Sequence, residues 1–192
     1  MSEHDHEHGH VHDHDAEADS EAEVRRRFAV AQIRQYGDVV LRMKANDVEE
    51  FDDDLRRLVE RMTALMHDAQ GVGLAATQVG VLRRLFVFEP DEDGPRAVAN
   101  PVLGETSGEP VTDEEGCLSL QGVRVPVERQ EKLVLSGKDE NGEVVRYELE
   151  GYGARVAQHE LDHLDGVLII DRTDDEHRKE ALAVLRPRAV LR

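Results

Sequence analysis

The sequence predicts an α+β fold, with mixed and antiparallel strands set around a central helix that carries an HExxH motif, and a further helix at the C-terminus. Three observations predict it. Apolar residues recur at three-four spacing between Phe51 and Met66, short β-branched and aromatic runs follow from Leu85 to Tyr147, and a second helical stretch leads through His159 to His163. Helices and strands do not alternate as regular βαβ units, which argues against a parallel sheet.

Taken in order, residues Met1 to about Ser20 alternate histidine with acids, as His4, His6, His8, His10, His12 and His14. With almost nothing apolar to bury, residues 1–23 are expected to form a disordered tail, and residues 24–192 one folded domain. The tail reads as solvated chain, with loose metal affinity as the competing reading. Ile33 to Arg42 reads as extended with a turn at Gly37-Asp38. Phe51, Leu55, Leu58, Met62, Leu65 and Met66 mark one helix face; Asn46 or Asp47 would cap its start and Gly71 its end. Gly71-Val72-Gly73-Leu74-Ala75-Ala76-Thr77-Gln78 follows with little side-chain bulk, so backbone or ligand can approach closely. It lacks the GKS/T ending of a phosphate loop.

Strands are expected at Leu85–Phe88, Arg96–Ala99 and Val123–Arg129, and Asn141-Gly142 marks a tight hairpin between Leu133–Leu135 and Val144–Tyr147. A helix begins near Tyr152. Ile169-Ile170 reads as a last short strand. Asp174 to Leu185 reads as an amphipathic helix with Ala181, Leu182 and Leu185 on its apolar side.

Composition narrows the function classes. There are 42 acids and 24 bases, a net charge of −18, and nine of the acids precede residue 24 with no Lys or Arg among them. Attraction to DNA is not expected, and no apolar run suits a membrane span. The single cysteine, Cys117, excludes an internal disulfide and fits a reducing, cytoplasmic setting.

The chemistry gathers at Gln158-His159-Glu160-Leu161-Asp162-His163. On a helix His159 and His163 share one face a turn apart, where both imidazoles can bind one ion, with Glu160 adjacent as a general base. A catalytic centre usually has a third protein ligand. Cys117, in Glu115-Gly116-Cys117-Leu118-Ser119, is the candidate; taken alone a lone cysteine is more often a small buried apolar residue.

These blocks, Gly71–Gln78, Glu115–Ser119 and Gln158–Leu164, together resemble those of the peptide deformylase family in order and separation. The likeness extends more thinly from about Ile33 to Arg186, and the His-rich tail lies outside it. The resemblance implies a catalytic metallohydrolase domain that removes the formyl group from N-formylmethionyl nascent peptides, releasing formate. It implies Cys117, His159 and His163 as ligands of one divalent ion, Fe2+ first, with Zn2+, Ni2+ or Co2+ as alternatives. Glu160 would be the base, and Gln78 with the Leu118 N–H would hold the oxyanion. Val72, Gly73 and Gly116 would line the substrate groove, and Tyr152, Arg155 and Val156 would face the methionine pocket. Contact with the ribosome near the exit tunnel is a further expectation of that family. Val39 and Gln121 stand where the family usually has proline, and Arg124 is the nearest counterpart of a substrate-contacting arginine.

Two other readings stay open on sequence. A zinc peptidase would take its third ligand from Glu176 or His177 and leave Cys117 unexplained. A non-enzymatic metal-delivery protein would work through the tail.

Overall fold

The strand Leu85–Phe88 is apolar at every position because both of its faces are covered. In the computed structural model, which describes residues 12–186, Leu85 and Val87 pack with Met62 and Met66, while Phe86 and Phe88 pack with Ala154, Ala157 and Leu164. A strand buried on two sides reads as a continuous apolar run rather than an alternating one.

Among the described residues four helices, α1 (His12–Val30), α2 (Asp53–Asp68), α3 (Gly151–Leu164) and α4 (Asp175–Leu185), combine with seven strands. The strands are β1 (Gly73–Ala75), β2 (Leu85–Phe88), β3 (Arg96–Ser107), β4 (Val111–Gly116), β5 (Arg124–Arg129), β6 (Lys132–Lys138) and β7 (Val144–Glu150). Five form an antiparallel sheet in the order β1-β2-β3-β6-β7, and β4 pairs with β5 in a separate antiparallel ribbon. The class is mixed helix and antiparallel sheet. α2 covers one face of the larger sheet and α3 the other, while Leu41, Leu120, Val125, Val127, Ile169, Ile170 and Ala181 make a third apolar cluster.

The hairpin forms where the Asn-Gly pair predicts it: Gly142 has φ 85° and donates to the Asp139 carbonyl at 3.1 Å. Asn100 stitches a loop to the sheet, its side chain accepting from the Val48 N–H at 2.7 Å and donating to the Val48 carbonyl at 2.9 Å.

Several local expectations are corrected. The tail expected to be disordered through Glu23 is helical from His12; residues 1–11 lie outside those described. Arg25 pairs with Glu21 and Arg26 with Glu23 along this helix, and Ala29 enters the core, so its last turns are both locally favoured and anchored. Asp52, rather than Asn46 or Asp47, caps α2 by accepting from the Leu55 N–H. Val39–Arg42 is a 3-10 turn opened by Asp38, not extended chain, and Ile169–Asp171 is a 3-10 turn, not a strand. Both short apolar stretches are buried as turns against the third cluster, a tertiary outcome that a run of two or three apolar residues does not encode. β3 is far longer than its apolar half, and the acidic, mostly exposed β4 carried no strand signal at all.

Candidate metal centre and substrate groove

The α3 backbone places His159 and His163 one turn apart, and their Nε2 atoms stand 3.2 Å from each other. Cys117 arrives from the turn after β4, with Sγ 3.2 Å from His163 Nε2. The three donor atoms lie within 4.8 Å of one another. Donors about 2.0–2.3 Å from a common ion, set tetrahedrally, are separated by about 3.3–3.7 Å. The donor set and its spacing therefore fit a divalent ion such as iron or zinc.

Electrostatics bear on the same fit. Burial would lower the His159 pKa, yet hydrogen bonds to Cys117 and Glu115 hold it well above the usual histidine value. Burial and the neighbouring His159 push His163 well below that value. A cation at these donors would displace the proton from His159, since a ligating imidazole is neutral.

Nothing in the spacing marked Glu115 for a role beyond its place in the block, yet it holds the centre. Its Oε2 is 2.9 Å from His159 Nδ1, which turns His159 Nε2 toward the cysteine. Arg129 grips Glu115 through two donors at 2.9 and 3.0 Å, and Arg155 adds a third at 2.8 Å. Burial opposes charge on Glu115, but the hydrogen bonds from His159 and Arg129 hold its carboxyl down at about 2. Arg129 also reaches Asp162 at 2.6 Å, and Arg172 binds the same carboxylate. Asp162, on α3 itself, is therefore an ion-pair partner of Arg129 and Arg172. A signal for this existed in retrospect: charged residues on otherwise apolar elements that must find partners inside.

Glu160 is 3% exposed and its Oε2 has no hydrogen-bond partner. Burial pushes its carboxyl up to about 7, against the pull of His159. Gly73 is glycine for a reason the sequence did not reveal, since an added Cβ would overlap the Glu160 carboxylate. Gln78 is clamped by its own carbonyl oxygen, which accepts from the Ala75 N–H at 2.8 Å. Its Nε2 donates to Ser119 Oγ at 3.1 Å and points at Cys117 Sγ, 3.7 Å away.

A groove of about 550 Å³ opens onto this cluster. All of the expected wall residues line it: Val72, Gly73 and Gly116 together with Tyr152, Arg155 and Val156. Arg155, though, spends its guanidinium on Glu115 and on the Val127 and Val111 carbonyls, so it braces the wall more than it faces the groove. An added Cβ at Gly116 would make ordinary van der Waals contact, its nearest atom, the Val123 carbonyl oxygen, being 3.7 Å away. The Leu118 carbonyl accepts from Gln35 Nε2 at 3.1 Å and Gln121 Nε2 at 2.7 Å. Gln121 thus supplies a side-chain bond to the turn at the position where a family proline was expected; Val39 is 75% exposed. His177 lies at 2.7 Å from Asp174 at the start of α4 and joins no cluster, which removes it as the third ligand of a peptidase.

The sequence profile described as polypeptide deformylase matches residues 30–179. A peptide deformylase of Thermotoga sp. is 48% identical over 147 residues, covering 77% of this chain and 89% of its own. Peptide deformylase 1 of Corynebacterium glutamicum is 46% identical over 164 residues, covering 84% and 97%. The crystal structure of the Thermotoga maritima peptide deformylase superposes with TM-score 0.72 at 48% identity, over 74% of this chain and 96% of that one. The Synechococcus elongatus enzyme, solved with actinonin, gives TM-score 0.75 at 39% identity, over 81% and 91%.

Proposed function

The chain belongs to the polypeptide deformylase family, a family of metal-dependent hydrolases, and from that membership we propose which of its residues perform the reaction. The reaction is hydrolysis of the N-terminal formyl amide of newly made polypeptides, giving formate and a free amine. Cys117, His159 and His163 would hold the ion, and Fe2+ is our assignment, with Zn2+, Ni2+ or Co2+ as substitutes the same donors accept. When bound, a divalent ion there lowers the pKa of a water toward neutrality and polarises the formyl oxygen.

Glu160 takes the proton of the attacking water and returns it to the departing nitrogen as the carbon–nitrogen bond breaks. Its buried, unpartnered oxygen and near-neutral pKa suit both halves of that exchange. Gln78 Nε2 and the Leu118 N–H donate to the oxygen as charge develops on it; in a water-excluded site each such donor is worth about 3 kcal/mol. Gln78 is pre-aimed by the Ala75 clamp, and the Leu118 turn by Gln35 and Gln121. Val72, Gly73 and Gly116 leave room for the peptide backbone, while Tyr152 and Val156 flank the methionine side chain and Arg155 braces them. Glu115 and Arg129 keep His159 oriented.

The observation that carries this reading is the convergence of Cys117, His159 and His163 beside the unpartnered Glu160 in one groove. We further take α3 as the element around which the domain is arranged, residues 24–192 as its catalytic unit, the cytoplasm as its place of action, and the ribosome near the exit tunnel as a contact. Among the described residues no helix is long and apolar enough to cross a membrane. The test is formate release from formyl-Met-Ala-Ser by anaerobically purified protein reloaded with iron or nickel, with Glu160→Ala as control. Turnover lost in the control supports the assignment; no turnover with one ion bound per chain overturns it.

A further inference from the structure

Arg26 precedes the stretch matched by the family profile, yet it lines the same groove as Val72, Gly73 and Cys117. Its backbone is fixed. Ala29, one turn on, is 2% exposed, and it packs with Ile33, Met62 and Met66 in the core on α2's side of the sheet. The Arg26 side chain remains 33% accessible, and its one charge partner among the described residues is Glu23 on the same helix, at 3.7 Å. A surface pair of that kind is weak and easily exchanged for a better acceptor.

Of the groove's other charges, Arg155 and Glu115 are committed to partners, and Glu160 is buried. Arg155 is held by Glu115 and two backbone carbonyls, and Glu115 is neutralised by Arg129. Glu160 lies against Gly73. Arg124 reaches only the Glu114 carbonyl, at 3.5 Å. The groove therefore presents two guanidinium groups with donors to spare, Arg26 and Arg124, beside one exposed carboxylate, Glu114, that has no ion pair among the described residues.

We propose that Arg26 is a specificity-determining residue that pairs with an acidic side chain of the substrate, downstream of the formyl-methionine. An extended peptide advances about 3.3 Å per residue, so the positions after the methionine run along the groove rather than into the metal cluster. A guanidinium fork matches a carboxylate and repels an ammonium. The inference rests on the deformylase reading and adds to it a preference set by α1, outside the three motif blocks.

The test uses amidated formyl-Met-Ala-Asp, formyl-Met-Ala-Ala and formyl-Met-Ala-Lys with the iron-loaded full chain. kcat/KM is expected to favour Asp over Lys by about fivefold at low salt, and the ratio to shrink as salt screens the pair. Arg26→Glu should invert the order, and Arg26→Lys should keep it, which separates charge recognition from a folding defect. Dissociation constants of the same peptides on a Glu160→Gln background read the preference without turnover. A ratio unchanged by Arg26→Glu in both assays overturns the proposal. Failure of formate release from every peptide would instead count against the deformylase assignment, while the binding ratios still judge Arg26.

Discussion

Two regions supply the candidate metal donors, and they are held in different ways. The histidines of α3 are placed by helix periodicity, and the helix is seated by small and apolar residues, Ala154, Ala157 and Leu164, packed against β2 and its neighbours. Cys117 sits in an irregular turn, placed by polar contacts both local and distant: Gln121 nearby and Gln35 from afar on the Leu118 carbonyl, Gln78 toward the sulfur, and Arg129 on Glu115 of the preceding strand. A helix needs only its own backbone to set two ligands four residues apart. A turn has no such ladder, so its geometry depends on each partner.

The largest effects should come from the two regions' own chemistry. Cys117→Ala removes the thiolate ligand, and we expect metal content to fall well below one ion per chain, with activity down by at least about 10³-fold. Metal analysis and formate release on the same preparation check this. Glu160→Ala, on the helix side, should lose about 10³-fold in kcat while keeping its ion, because a base and not a ligand is removed. Equal metal loss in both variants would erase the distinction between ligand and base.

Smaller effects probe the supports. Glu115→Gln leaves His159 without its charged partner and Arg129 with one fewer, and should weaken metal affinity by about 10–100-fold, read by competition with a chelator. Gln121→Ala removes one of two donors from the Leu118 carbonyl and should cost about 1 kcal/mol in transition-state stabilisation, a loss of several-fold in kcat/KM, with Gln35 retaining the turn. If Gln121→Ala fell as far as Glu115→Gln, the turn would depend on that one bond.

The smallest effect lies away from the cluster, at the start of α4. There Asp174 raises the His177 pKa above the usual histidine value. Its contribution to stability is therefore present below about pH 6.5 and lost as pH rises through the raised value. An NMR titration should show the His177 midpoint falling in Asp174→Asn while formate release is unchanged.

The site was more legible than its supports. His159, Glu160 and His163 stood out because metal chemistry demands particular residue types at a spacing that helix geometry explains, Cys117 became a candidate only beside that pair, and the role expected of Gln78 came from the family resemblance. Glu115 and Arg129 were hidden because an acid and a base on a short strand read as solvent-facing until β4 and β5 pair and α3 closes over them. Arg26 was hidden because an arginine in a polar helix carries no sign of the cleft beside it. The 3-10 turns at Val39 and Ile169 were misread because short apolar stretches record burial without recording conformation.

By itself, then, the sequence determined the mixed class, the amphipathic α2 and the helical histidine pair, all fixed within one or two turns or one hairpin, where backbone geometry and side-chain period suffice. Only the tertiary structure decided that Cys117 comes within reach of the pair, which carboxylate orients His159, why Gly73 bears no side chain, and which end of α1 meets the groove. Those are contacts between residues tens of positions apart, and they exist because burying α3 against the sheet forces its polar groups to find partners there.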